Sequence, residues 1–313
     1  MSISQANGML CRLPWVVKDR LMKIMDYRTS CVVRELSEEY RRLAARKEIP
    51  FSRVELYFKP KVVTIVLQFA DDGTTTFIDY RLKGHGVHIE FDDGFEKTSK
   101  FKDYTGYIEE AIRDLFSYLE KPRVTIGTFF LHVDSAPDQN LCNRRFYKAF
   151  KSALCNLEHE LMVDNLEMTF EGKQHQILPV IQALDANTLK SILLRGNGSV
   201  LPLSVTKIVD LPQWKQAEEL KTENLTLNGS IKNFAHFVKV DTSLLRITPL
   251  QVVNFQKMLA KSTNFQLGTF SSSNSDMELV EAFLKTESFT NEIGTIRSNV
   301  DSNSVAFSST KLN

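Results

Sequence analysis

The residues best suited to metal or nucleophilic chemistry are six histidines and four cysteines, and their spacing limits what they can do. His85 and His88, in Gly84-His85-Gly86-Val87-His88, stand three apart. On a strand such positions face opposite sides, so one ion would not easily take both, and no metal site is assigned. Cys155 and His159 stand four apart, which on a helix puts both on one face. Helix packing accounts for that pair better than a catalytic dyad does. Gly196-Asn197-Gly198-Ser199 is glycine-rich but lacks the Gly-Lys-Ser/Thr of a phosphate-binding loop. It reads as a strand–helix connection that needs a positive φ. No Gly-x-Ser-x-Gly elbow occurs. The expectation is therefore no catalytic residue, no cofactor and no enzyme; an uncharacterised hydrolase is disfavoured.

Charge gives a similar answer. Thirty-nine Lys and Arg against 38 Asp and Glu leave a formal net charge of +1, so no global field draws nucleic acid or an anionic membrane. Arg41, Arg42, Arg46 and Lys47 cluster at the end of a predicted helix, where cations suit the macrodipole. Glu35, Glu38 and Glu39 dilute them. The best apolar run, Val62–Ala70, is too short to span a bilayer. Arg12 and Pro14 interrupt any signal-peptide core in residues 1–20. Cys11, Cys31, Cys142 and Cys155 form no Cys-x-x-Cys pair and read as reduced thiols, most of them packed as small hydrophobes. The expected location is cytoplasmic or nuclear, not secreted.

The elements that would position any site fall into distinct stretches. After a polar, disordered leader (1–8), residues 9–48 read as two short amphipathic helices. In the first, Pro14 suits an opening turn, and Val17, Leu21 and Ile24 repeat at i, i+4, i+7. In the second, Val33, Leu36, Tyr40 and Leu43 form another stripe. So few residues cannot bury both stripes among themselves, so apolar surface is left for another protein. Residues 49–102 switch to a two-residue period with Asp-Asp-Gly turns at 71–73 and 92–94, which predicts an antiparallel β-rich meander. From 103 to 289 helices and strands alternate. Strands there carry apolar-x-apolar pairs at Leu166/Met168, Ile192/Leu194, Leu225/Leu227, Leu245/Ile247 and Phe265/Leu267. Strand–helix units in series predict parallel strands. The run Leu189-x-x-Ile192-x-Leu194-x-x-Asn197 fits a leucine-rich-repeat core. Short helices are expected at 177–184, 205–214, 234–238, 249–259 and 277–284, and a polar tail at 290–313. The predicted class is α+β: helical N-terminus, antiparallel middle, and a curved, leucine-rich-repeat-like α/β solenoid. A compact α/β domain with evenly spaced strands is the other reading. Trp214 suits a packing anchor or a partner-facing aromatic.

Leu13-Pro14, Val17, Leu21, Ile24, Leu36-Ser37 and Tyr40-Arg41-x-Leu43 resemble an F-box. The turn between the helices is shorter than the longer consensus, and Tyr40 stands where Trp is common. The region from about Arg144 to Phe289 is similar to an FTH domain, in phrases such as Phe150-x-x-x-Leu154 and Asn165-Leu166-Glu167-Met168. This order resembles the nematode F-box A proteins. The resemblance implies a substrate-recognition subunit of an SCF-type cullin ubiquitin ligase. Leu13, Pro14, Val17, Leu21, Ile24, Leu36 and Tyr40 would bind a Skp-type adaptor and, through it, a cullin. The C-terminal domain would hold an unknown target protein. The alternative is a repeat scaffold outside any ligase, with residues 13–47 as its N-terminal cap.

Overall fold

The structure, a computed structural model, describes residues 10, 12–25, 29, 33, 36–44, 48–121, 123–134, 140–198, 201–262, 264–272, 290–291, 294–300 and 304–311. Two helices, α1 (Trp15–Ile24) and α2 (Glu38–Ala44), precede the first strand. The antiparallel strands are β1 (Ile49–Lys59), β2 (Val62–Phe69), β3 (Thr75–Lys83), β4 (Gly86–Asp92) and β5 (Lys97–Asp103). Gly73 and Gly94 take positive φ at the two Asp-Asp-Gly turns. There Asp72 and Asp92 accept from backbone N–H groups two residues on, the usual Asx-turn bond.

Then come α3 (Tyr107–Leu119), β6 (Val124–Val133), α4 (Asn140–Cys155), β7 (Met162–Phe170), α5 (Gln174–Gln182) and β8 (Ser191–Gly196). The two-residue β9 (Leu203–Ser204), α6 (Pro212–Gln216), β10 (Glu219–Asn228), a 3-10 turn at Ile231–Phe234 and β11 (Lys239–Leu244) follow. The order ends with α7 (Pro249–Leu259), β12 (Leu267–Ser271), β13 (Thr290–Asn291), β14 (Gly294–Val300) and β15 (Ser304–Lys311).

Meander and repeats are not separate sheets. β1 pairs antiparallel with β2 on one side and parallel with β6 on the other, so among the described residues all fifteen strands form one sheet. The strands β1, β6, β7, β8, β10, β11 and β12 lie side by side and parallel. The sheet thus continues across the expected boundary at 102/103: Phe51 faces Phe69 across one flank of β1 and Ile126 across the other. A single hydrophobic cluster runs from Ile49 to Phe307. Burying an apolar strip from each strand in turn, at about 25 cal/mol per Å² of apolar surface, is the main force joining the two parts.

Parallel strands were legible, but their register was only partly so. Leu166 faces Ile192, while Ile192 faces Leu220 and not Leu225 of the next apolar-x-apolar pair. Leu220 faces Val240, and Val240 faces Gly268. Leu225/Leu227 lies beyond a register shift in β10, Leu245/Ile247 follows β11, and Phe265 precedes β12. Asn197 does donate from Nδ2 to the Val133 carbonyl at 3.0 Å, but the matching residue after β7 is Glu171. The leucine-rich-repeat pattern therefore fits one unit only.

Other departures have simple causes. Phe146, Phe150, Ala153, Leu157 and Leu161 read in sequence as one helix, but α4 stops at Cys155, and Leu161 bridges Leu184 in a parallel pair. The expected helix 205–214 shrinks to Pro212–Gln216, and 234–238 becomes a 3-10 turn at 231–234. Within the expected polar tail, β14 and β15 pair with each other and β15 joins β12. Val305 and Phe307 alternate on the buried side, and Phe307 lies 5.3 Å from the Phe255 ring of α7. The expected helix at 277–284 lies outside the described residues.

Candidate functional site

The helical pair has a core of its own. Met22, Val33, Tyr40 and Leu43 are buried together, with Leu10, Met25 and Leu36 partly buried against them, in a cluster distinct from the main one. Pro14 caps α1: its carbonyl accepts from Val17 and Lys18 at 2.9 and 3.0 Å. Tyr40 is at the centre rather than on the surface. It is fully buried, its hydroxyl donates to the Leu10 carbonyl at 3.0 Å, and the Lys18 ammonium sits 5.5 Å from its ring. Lys18 also pairs with Glu39. Of the residues read as adaptor-facing, Pro14 and Val17 are exposed, and Leu13, Leu21 and Leu36 are half-buried. The Ile24 side chain lies outside the description. Among the described side chains of α1 the most exposed apolar one is Val16, at 74%, flanked by Trp15 at 44% and Val17 at 41%. Neither Trp15 nor Val16 belongs to the i, i+4, i+7 stripe, so periodicity passes over both.

A second surface is the face of the parallel sheet opposite its core. Strand periodicity sends every other side chain there, and these positions are largely charged or aromatic. Glu167 of β7 accepts from Arg53 of β1, at 3.3 and 3.5 Å, and from Arg195 of β8, at 3.2 Å. Arg53 also pairs with Glu55, and Arg195 donates to Glu223 of β10 at 2.8 Å. Lys221 closes the row on Glu223 at 2.8 Å. The Arg53 guanidinium sits 5.3 Å from the Phe130 ring, Tyr57 lies 5.2 Å from Phe130, and His132 is 5.9 Å from Tyr57.

The electrostatics follow from these contacts. Burial alone would raise the Glu167 carboxyl, but the hydrogen bonds from Arg53 and Arg195 outweigh it and hold it below the usual range. Burial and the accepting Glu55 carboxylate push the Tyr57 phenol up to about 12. Burial lowers His132 below the ordinary imidazole value. What the row presents is a fixed series of donors, acceptors and ring faces about 4.8 Å apart, strand to strand. In the sequence only Glu167 is marked, as the middle residue of Leu166-Glu167-Met168; Arg195 and Glu223 fall outside the apolar-x-apolar phrases.

Residues 144–287 match the FTH domain family. The match takes in Glu167, Arg195 and Glu223 of the charged row, while Arg53 and Glu55 come from the strand that opens the sheet. No curated protein and no solved structure matches the chain.

The remaining chemical candidates are dispersed, inside the FTH segment and outside it. His85 is exposed and pairs with Asp103 at 2.8 Å; His88 lies 3.6 Å from Glu90. Among the described residues no group of three or more His, Cys, Asp or Glu is placed to hold a metal ion. Cys155 ends α4, so His159 is not on the same helix. Cys142 and Cys155 are exposed, which corrects their reading as buried hydrophobes; Cys11 and Cys31 lie outside the described residues. Gly198 has φ +73°, as its loop requires, and a Cβ at Gly196 would meet the Asn224 carbonyl oxygen at 2.1 Å. Trp214 is fully buried against Phe234 and Phe237, so it anchors packing. Arg42 pairs with Glu38 one turn back at 3.4 Å. Among the described residues no helix is long and apolar enough to cross a membrane.

Proposed function

We propose that this chain is a non-catalytic receptor subunit of an SCF-type cullin ubiquitin ligase. Its helical pair engages a Skp-type adaptor, and its FTH-bearing sheet holds the protein to be modified. On this reading the parallel half works as a repeat-type solenoid, and its contribution is proximity, which raises the effective concentration of target lysines. The observation that carries the proposal is the exposed run Pro14-Trp15-Val16-Val17 on a helical pair with a separate core. A cap of the sheet domain would turn such side chains inward and share its core. The FTH match at 144–287 supports a protein-interaction role.

The test is co-precipitation of the full chain with a panel of Skp-type adaptors, wild type against Val16→Asp. Val16 is mostly exposed, so the substitution leaves the monomer folded but would bury an unpaired carboxylate in an adaptor groove, a cost of several kcal/mol. Loss of binding with an unchanged melting temperature is the expected result. Equal recovery of the folded variant would move weight to a scaffold outside the ligase. The double variant Leu13→Ala/Pro14→Ala serves as a second arm, paired with melting because Pro14 caps α1.

A further inference from the structure

A cleft of about 660 Å³ lies between α4 and the first turn of α5. Four of its lining side chains are cations: Arg144, Lys148, Lys151 and Lys173. Arg144, Lys148 and Lys151 recur at i, i+4, i+7, so one face of α4 presents all three. None of the three has a carboxylate partner among the described residues. Glu171 is the cleft's one carboxylate, and its charge is already taken: it accepts from Lys173, from Asn143 Nδ2 at 2.9 Å and from Gln176 Nε2 at 3.3 Å. His175 completes the charged and titratable lining. Cations in excess of carboxylates at a helix N-terminus favour an anion.

Two buried polar atoms show that something more specific is wanted. The Tyr147 hydroxyl is shut off from solvent and has no hydrogen-bond partner. The same holds for Oδ1 of Asn143, a residue only 3% exposed. Both residues line the cleft. An orphaned buried polar group carries the full desolvation penalty of leaving water, so each calls for a partner. A hydroxyl donor beside free ammonium groups suits an oxyanion. An amide oxygen beside them suits an N–H or O–H on whatever carries that oxyanion. Burial and the nearby Glu171 charge keep the Tyr147 phenol protonated, hence a donor, throughout the neutral range.

We propose that this cleft binds a phosphate monoester. Lys148 and Lys151 neutralise the dianion, the Tyr147 hydroxyl donates to it, and the Asn143 amide oxygen accepts from the carrier group. The inference does not depend on adaptor binding, because no residue of the helical pair contributes to it.

Isothermal titration of the full chain with N-acetyl-phosphoserine methylamide, glycerol 3-phosphate and inorganic phosphate tests it, with N-acetyl-serine methylamide as control. The first probe offers Asn143 an amide N–H, the second a hydroxyl, the third no carrier. Saturable binding of either monoester, tighter than inorganic phosphate and absent for the control, is expected. Lys148→Glu/Lys151→Glu, at two exposed positions, should abolish it. Tyr147→Phe should weaken it at least tenfold while raising the melting temperature, because the orphan hydroxyl is gone. No saturable heat from any phosphate probe would overturn the proposal, as would binding that survives the double charge reversal. An affinity unchanged by Tyr147→Phe would remove the hydroxyl from the site and overturn the proposed contact with the phosphate.

Discussion

Glu167→Gln isolates the charged row that crosses five strands. The substitution keeps size and shape but removes the charge shared by Arg53 and Arg195 and turns one accepting oxygen into an NH2 donor. The Glu167 side chain is 22% exposed and its two arginines about a third exposed. That places the pairs between exposed ones, worth about 0.2–1 kcal/mol each, and buried ones, whose breakage costs about 3–5 kcal/mol. Each arginine keeps a second carboxylate, Glu55 or Glu223, so neither is stranded. Solvent screening discounts the rest, and a loss of about 1–2 kcal/mol is expected at pH 7. For a chain of this size that lowers the melting temperature by about 1.5–3 °C.

The pH dependence has a definite sign. The Glu167 carboxyl is held below its ordinary value in the folded protein. Its stabilisation is therefore present above the unfolded carboxyl pKa, about 4.3, and is lost as pH falls through the folded value. Thermal melts of both proteins from pH 7 down to about 3 should show the gap closing in that acid window. At pH 7, 1 M salt should also narrow it. A gap that stays constant on acidification, or a Gln variant more stable than wild type at pH 7, would refute the assignment of the row's energy to these pairs.

Tyr40→Ala should cost the helical pair about 3–5 kcal/mol and abolish protection of the α1 amides in hydrogen exchange while the sheet amides stay protected, because the two cores are separate. Trp214→Ala should destabilise the whole sheet by a similar amount in denaturant unfolding, with Trp214→Phe losing less. Gly196→Ala pushes a methyl into the Asn224 carbonyl and should cost about 1–3 kcal/mol, read as a lower urea midpoint with unchanged slope.

Elements with strong local signals were legible in the sequence: the limits of Val62–Phe69, Val124–Val133 and Pro249–Leu259 follow from β-branched runs and an N1 proline. β5 was missed because Lys97–Asp103 is nearly all polar; its backbone pairing with β4 holds it in place. The join between β1 and β6 was illegible for a different reason. It pairs residues far apart in sequence, and nothing local distinguishes a strand paired on one flank from one paired on both. The charged row suffers likewise: Arg53 and Glu167 are separated by 114 positions. Tyr40 was placed on the right helix, but a stripe alone does not say whether it faces its own partner helix or another protein.

The continuity of the sheet bears on what can be handled as a domain. The matched segment begins four residues into α4 and ends before β14. Expressed alone, residues 144–287 would leave β7 without β6 and β12 without β15, two strands with open backbone edges. Such edges recruit further strands from solution. A fragment cut at the bounds of the FTH match is therefore expected to aggregate where residues 48–311 do not.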